Sequence, residues 1–212
     1  EYFDPGAHEI IREVSTAEPI EIGSGDVTIG LIDCGVKWNI VRQLVEQGCK
    51  VRILPWDTKL TTAKDVQGWV ISNGPGNPEM TGELAGNVAE LLGGKQPILG
   101  ICLGHQILSR AAGCETRKMQ YGHRSHNQPV NLLGTRKGFI TSQNHGYVVN
   151  DDTLPAEWEP WFRNVNDQSS EGIKHKAKPF RSVQFHPEAA GGPRDTSWII
   201  SDFIEEVRQT CR

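Results

Sequence analysis

Residues 27–56 read VTIGLIDCGVKWNIVRQLVEQGCKVRILPW, and the order of patterns within them decides the fold. The run VTIGLID (27–33) is apolar almost throughout, as expected of a strand covered on both faces. NIVRQLVEQG (39–48) is amphipathic at helical spacing, and KVRILPW (50–56) returns to a strand pattern. Strand, helix, strand is the unit of a parallel sheet, and it repeats downstream. GWVISN (68–73) predicts a strand, ELAGNVAELLGG (83–94) a helix, PILGI (97–101) a strand and LGHQILSRAAG (103–113) a helix. Such alternation predicts an α/β domain: an open, mostly parallel sheet flanked by helices, with ligands bound beyond the carboxyl ends of its strands.

From about 114 to 186 the helical patterns stop. Turn-rich segments such as RKGFITSQNHGYVV and EGIKHKAKPFRSVQFH predict added, mainly antiparallel strands. DTSWIISDFIEEVRQTC (195–211) sets Trp198, Ile199, Phe203 and Val207 at helical spacing and predicts a closing helix. At the other end, Asp4-Pro5-Gly6, Glu18-Pro19 and Gly23-Ser24-Gly25 punctuate residues 1–25, which read as a linker before a domain over 26–212.

Bulk composition narrows the function classes. The 22 basic and 26 acidic residues give a net charge of −4, and no stripe of Lys and Arg offers a track for a phosphate backbone, so nucleic acid is not expected as a partner. No apolar stretch nears the roughly 20 residues needed to span a bilayer, and the start lacks the pattern of a secretory signal, so no membrane contact is expected. Five cysteines without CxxC spacing suggest neither a disulfide framework nor a cysteine zinc site, and a reducing, cytoplasmic setting fits them.

Chemistry concentrates in four stretches. Gly100-Ile101-Cys102-Leu103-Gly104 has the layout of a nucleophile elbow with Cys in place of Ser. The flanking glycines allow the strained turn, and the thiol would sit at a helix N-terminus, where positive potential favours a thiolate. A buried structural cysteine is the alternative that Cys102 alone leaves open. His186 and Glu188, in SVQFHPE (182–188), should project to the same side of an extended chain, so the carboxylate could orient the imidazole toward the thiol. SNGPGNP (72–78) offers a tight turn in which Gly74 could supply one oxyanion donor and Leu103 N–H the other. Asn144-His145-Gly146-Tyr147 reads as a loop suited to gripping a zwitterion, and Gln106, one helical turn after Cys102, can point an amide at whatever the thiol attacks.

Together GICLGHQ, SVQFHPE, SNGPGNP and QNHGY resemble the class I (triad) glutamine amidotransferases, which have a flavodoxin-like fold. EVSTAEP (13–19), DCGVKWNIVRQL (33–44) and TSQNHGY (141–147) further resemble the amidotransferase part of glutamine-dependent carbamoyl-phosphate synthetase, in wording nearest the eukaryotic multifunctional pyrimidine-pathway enzymes. The resemblance implies that Cys102 attacks the side-chain amide of L-glutamine to form a γ-glutamyl thioester. It implies His186 as acid and base, Glu188 as its orienting carboxylate, and Gly74 and Leu103 as oxyanion donors. Gly76, Gln106, Asn144, Gly146 and Tyr147 match positions that bind glutamine.

The ammonia would pass to an ATP-dependent synthetase making carbamoyl phosphate for pyrimidine or arginine biosynthesis. The resemblance also implies a small N-terminal domain that completes the glutamine site, and no metal or organic cofactor. Without that domain and the synthetase, a slow glutaminase is expected. Two alternatives stay open at this point: an amidotransferase serving another synthetase, such as those of guanylate or anthranilate synthesis, and a catalytically silent docking domain. His145 receives no role beyond a structural one, Lys37 and Trp38 read as solvent or partner contacts, and Cys34, Cys49, Cys114 and Cys211 as packing or surface thiols.

Overall fold

The computed structural model describes residues 5–211. Asp4, in the first of the turns noted above, lies outside them. Ten strands form one sheet: β1 (Ile20–Ile22), β2 (Val27–Asp33), β3 (Cys49–Pro55), β4 (Gly68–Ile71), β5 (Ile98–Ile101), β6 (Glu115–Leu132), β7 (Gly138–Asn150), β8 (Trp158–Asn164), β9 (Ser170–His175) and β10 (Phe180–Val183). Their spatial order is β1-β3-β2-β4-β5-β10-β9-β8-β6-β7. β3, β2, β4, β5 and β10 run parallel, and the remaining strands add antiparallel.

The parallel half exists because its strands are apolar on both faces. Ile29, Leu31, Val70, Leu99 and Ile101 pack on one side against α2 (Trp38–Glu46) and α5 (Trp198–Thr210). Ile32, Trp69, Ile71 and Ile98 pack on the other with α3 (Gly82–Leu91) and α4 (Leu103–Ala111). Burial of this kind is worth about 25 cal/mol per Å² of apolar surface, which is why uninterrupted apolar runs settle in the middle of the sheet. None of the described helices is long and apolar enough to cross a membrane.

Three features differ from the sequence expectation. β10 is not purely an antiparallel addition: it pairs antiparallel with β9 but in parallel with β5 on its other side, Ser182 opposite Gly100, and so sets the His-Pro-Glu segment beside the elbow. Asn144–Tyr147 is not a loop but part of β7, hydrogen-bonded to β6; its Gly and polar residues read as a turn, but the long partner strand decides its conformation. The stretch expected as a linker carries a short helix α1 (Ile11–Val14), with Ile11 buried, and the edge strand β1 on β3.

Candidate active site

Every chemical group singled out in the sequence comes to the carboxyl ends of the parallel strands. A cavity of about 700 Å³ is lined there by Gly74, Gly76, Cys102, Leu103, Gln106, Asn144, Gly146, Tyr147 and His186 among others. The elbow is built as its glycines require. Cys102 sits at φ 55°, a left-handed conformation that non-glycine residues adopt rarely and at a cost of about 1–3 kcal/mol. A side chain at Gly104 would place its Cβ 2.0 Å from the carbonyl oxygen of Ile71, and one at Gly100 would lie 2.5 Å from the Gly104 carbonyl. Helix and strand approach so closely that neither position admits an alanine.

The same logic governs Gly74, where a Cβ would meet the carbonyl oxygen of Cys34 at 1.9 Å. Its turn is tied down by the residues before it. Ser72 Oγ accepts from Cys34 N–H at 2.9 Å, and Asn73 Oδ1 from Lys37 N–H at 2.9 Å. Among the described residues the N–H groups of Gly74 and Leu103 donate to no acceptor, and both residues line the cavity around Cys102. Two free donors beside a thiol are suited to holding an oxyanion.

His186 and Glu188 are buried, and His186 Nδ1 donates to Glu188 Oε1 at 2.7 Å. Burial alone would lower the imidazole's pKa, but negative charge on Cys102, a hydrogen bond to its sulfur and the Glu188 carboxylate outweigh burial and hold it up at about 10. Burial pushes Glu188 the other way, and the His186 hydrogen bond with the charges of His186 and Lys37 wins, holding the carboxyl below its ordinary value. The thiol also contacts the carbonyl oxygen of Asn144 at 3.9 Å. The Cys102 thiol, a charged imidazole and a carboxylate thus stand side by side at the cavity, with Glu188 Oε1 holding the ring.

Sequence reasoning missed two contributors from the start of α2. Lys37 Nζ lies 3.5 Å from Glu188 Oε1 and 3.1 Å from His186 Nδ1, so it belongs to the surroundings of that pair rather than to solvent alone. Asn39 donates from its side-chain amide to the Glu188 carbonyl oxygen, anchoring the His-Pro-Glu segment. Both stand in DCGVKWNI, and the only sequence signal was their place just after the first parallel strand. Trp38 is exposed, as expected. Gln106 is less free than its position suggested: its amide nitrogen donates to Tyr147 O and Gln184 Oε1, each at 3.0 Å.

His145 is buried, and its Nδ1 donates to Tyr147 O at 2.8 Å. Burial, joined by the charges of His123, His186 and Arg124, outweighs that bond and lowers its pKa to about 3, so the ring is neutral. Tyr147 O thus takes two donors, His145 and Gln106, and the β7 wall of the cavity is pinned from behind. Among the described residues His123, His145 and Glu171 have the donor types for a metal, with ligand atoms within 4.8 Å of one another. The Gln143 side-chain amide, however, lies 2.9 Å from both rings, and Asp167 takes the other nitrogen of His123. Both His123 nitrogens thus serve hydrogen bonds, and Glu171 Oε1 accepts from the Asn164 side-chain amide at 2.9 Å.

Known proteins share this chain's sequence and fold. The chain spans about half the length of the curated relatives it matches. It is 46% identical over 212 residues to the carbamoyl phosphate synthase arginine-specific small chain of Phaeosphaeria nodorum, covering 98% of this chain and 44% of the relative. It is 44% identical over 218 residues to the protein of the same description from Saccharomyces cerevisiae, covering 98% and 53%. A solved structure from Thermoplasma acidophilum, described as a putative GMP synthase component, superposes with a TM-score of 0.72 at 24% identity, covering 87% of this chain and 94% of that one. A glutamine amidotransferase from Thermotoga maritima gives 0.65 at 17% identity, covering 87% and 85%. Both show a shared fold. The family model for class-I glutamine amidotransferases matches residues 30–206, so that the chain belongs to that family.

Proposed function

We propose that this domain hydrolyses the side-chain amide of L-glutamine and supplies the ammonia to an ATP-dependent synthetase for carbamoyl phosphate formation. The observation that carries the reading is the Cys102 elbow, set between two free backbone donors and a His186–Glu188 pair. The thiolate attacks the amide carbon, and the Gly74 and Leu103 N–H groups take the oxyanion. His186 protonates the departing nitrogen, so that ammonia leaves and a γ-glutamyl thioester remains. The same ring then removes a proton from water, which attacks the thioester carbon; glutamate departs and the thiolate is restored. Gly76, Gln106, Asn144, Gly146 and Tyr147 line the cavity where the rest of the substrate would lie. No step needs a metal or organic cofactor.

The acceptor follows from the relatives, which are described as small chains of carbamoyl phosphate synthase, arginine-specific in each case. A role in arginine biosynthesis is therefore favoured over the pyrimidine pathway suggested by the motif wording, with the cytoplasm as the setting. The synthetase and a small domain preceding residues 1–25 are the proposed partners, residues 1–25 serving as the connection. A silent docking domain is disfavoured, because docking requires none of the thiol, imidazole and carboxylate that stand in register at this cavity. The test is the glutaminase rate with and without added synthetase. Slow hydrolysis that rises strongly with the partner is expected; no ammonia release under either condition would refute the reading.

A further inference from the structure

Asp33, the last residue of β2, is a buried carboxylate held by the backbone on both of its oxygens. Oδ1 accepts from the N–H groups of Gly35 and Val36, each at 2.9 Å. Oδ2 accepts from the N–H of Thr16 at 2.8 Å, seventeen residues earlier in the chain. Three donors make a buried charge tolerable at this depth. An asparagine could close the turn at 35–36 with its single oxygen, so the second oxygen is the part that needs a reason. It is spent on the segment ahead of β2.

The two oxygens hold different parts of the molecule. On the Oδ1 side, the loop 34–37 is the floor under the Gly74 turn. The Cys34 carbonyl backs Gly74, the Gly35 carbonyl accepts from Asn73 Nδ2 at 3.2 Å, and Lys37 N–H donates to Asn73 Oδ1. Gly35, at φ 106°, is wedged between the two parts: a Cβ there would lie 3.0 Å from Pro75 Cδ and 3.0 Å from Val14 Cγ2. On the Oδ2 side, residues 6–16 form a strap over the carboxyl ends of the strands. Ile11 is buried in the core, Arg12 lies over the Trp56 ring at 4.6 Å, and Ser15 Oγ accepts from Trp56 N–H at 3.0 Å. Gly6, at the start of the strap, lines the same cavity as Gly74 and Cys102.

We infer that Asp33 is a positioning residue: by tying the strap to the loop 34–37 it holds the Gly74 N–H where the oxyanion forms. The inference rests on the amidotransferase reading and adds to it a residue that never touches substrate. The test follows L-glutamine hydrolysis together with inhibition by L-glutamate γ-semialdehyde. The Cys102 thiolate adds to that aldehyde carbon, and the carbonyl electron pair moves to an oxygen lying between the two donors. Asp33→Asn keeps an oxygen for Gly35 and Val36 but turns an amide N–H toward Thr16 N–H, so the strap link alone is lost. Its kcat is expected to fall roughly tenfold with KM within about threefold, and the inhibition constant of the aldehyde to rise by about the factor that kcat loses. Thr16→Pro removes the same donor from the other side and should give the same pattern, while the double variant should fall within about twofold of the weaker single one. If Asp33→Asn does not fold, the three constants of Thr16→Pro decide. Unchanged kcat in a folded variant, a rise in KM with the aldehyde constant unmoved, or losses that multiply in the double variant would each overturn the inference. A wild type that does not hydrolyse L-glutamine would instead overturn the amidotransferase reading on which it rests.

Discussion

His186 and His145 line the same cavity, both buried, yet one ring is charged and the other neutral. Burial pushes each toward the neutral form. His186 resists because its neighbours are Cys102 and Glu188, and it is held at about 10. His145 yields because its neighbours are the cations His123, His186 and Arg124, and it is lowered to about 3. The comparison teaches that a histidine in an active-site cleft is assigned by the sign of what surrounds it and not by its depth. One ring is held charged beside the thiol; the other, neutral, donates to the Tyr147 carbonyl in the wall and lies against Gln143.

The sharpest way to break the contrast is to remove each ring in turn. His186→Asn should lower kcat for glutamine hydrolysis by about 10²–10⁴-fold, the range for a general acid–base residue. His145→Asn, which can still donate toward Tyr147, should cost no more than about tenfold. Equal losses in steady-state assays would mean that the base has been misassigned.

A smaller effect concerns stability. His145, and His105 at the back of α4, are both buried and both lowered to about 3, mainly by burial. Between about 6.5 and about 3 the unfolded chain binds protons at these rings that the folded chain refuses, so stability is present above pH 6.5 and falls as the pH drops. Each ring can contribute up to about 1.4 kcal/mol per pH unit in that window. Urea unfolding from pH 6.5 to 4 should show a shallower acid slope in His145→Asn than in the wild type. An unchanged slope would mean that His145 is already charged in the folded protein.

Much of this architecture was legible because it is local. The apolar runs of β2–β5, the amphipathic α2–α5 and the glycines around Cys102 each state their conformation within a few residues. The His-Pro-Glu spacing likewise announced its own geometry. What escaped depends on partners far away in sequence. Lys37 and His186 are 149 residues apart, and nothing near Lys37 tells that α2 begins beside the His186–Glu188 pair. Asn144–Tyr147 reads as a loop until β6 is laid against it, and the bulge at 119–122 exists only in that pairing. The His123–Gln143–His145 network has no motif, since its members come together through cross-strand register.

The central claim is that Cys102 is a nucleophile activated for glutamine, and alkylation by a diazoketone analogue of glutamine tests it most directly. Burial raises the thiols of Cys34, Cys49 and Cys114, the last two to about 11 and about 12, which leaves them poor nucleophiles near neutrality. Cys211 is exposed but lies on the terminal turn, away from the cavity lining. Peptide mass spectrometry should therefore find one equivalent of label on Cys102, with protection by L-glutamine and loss of hydrolysis in step with labelling. Label on another cysteine, or hydrolysis that survives Cys102→Ala, would contradict the account.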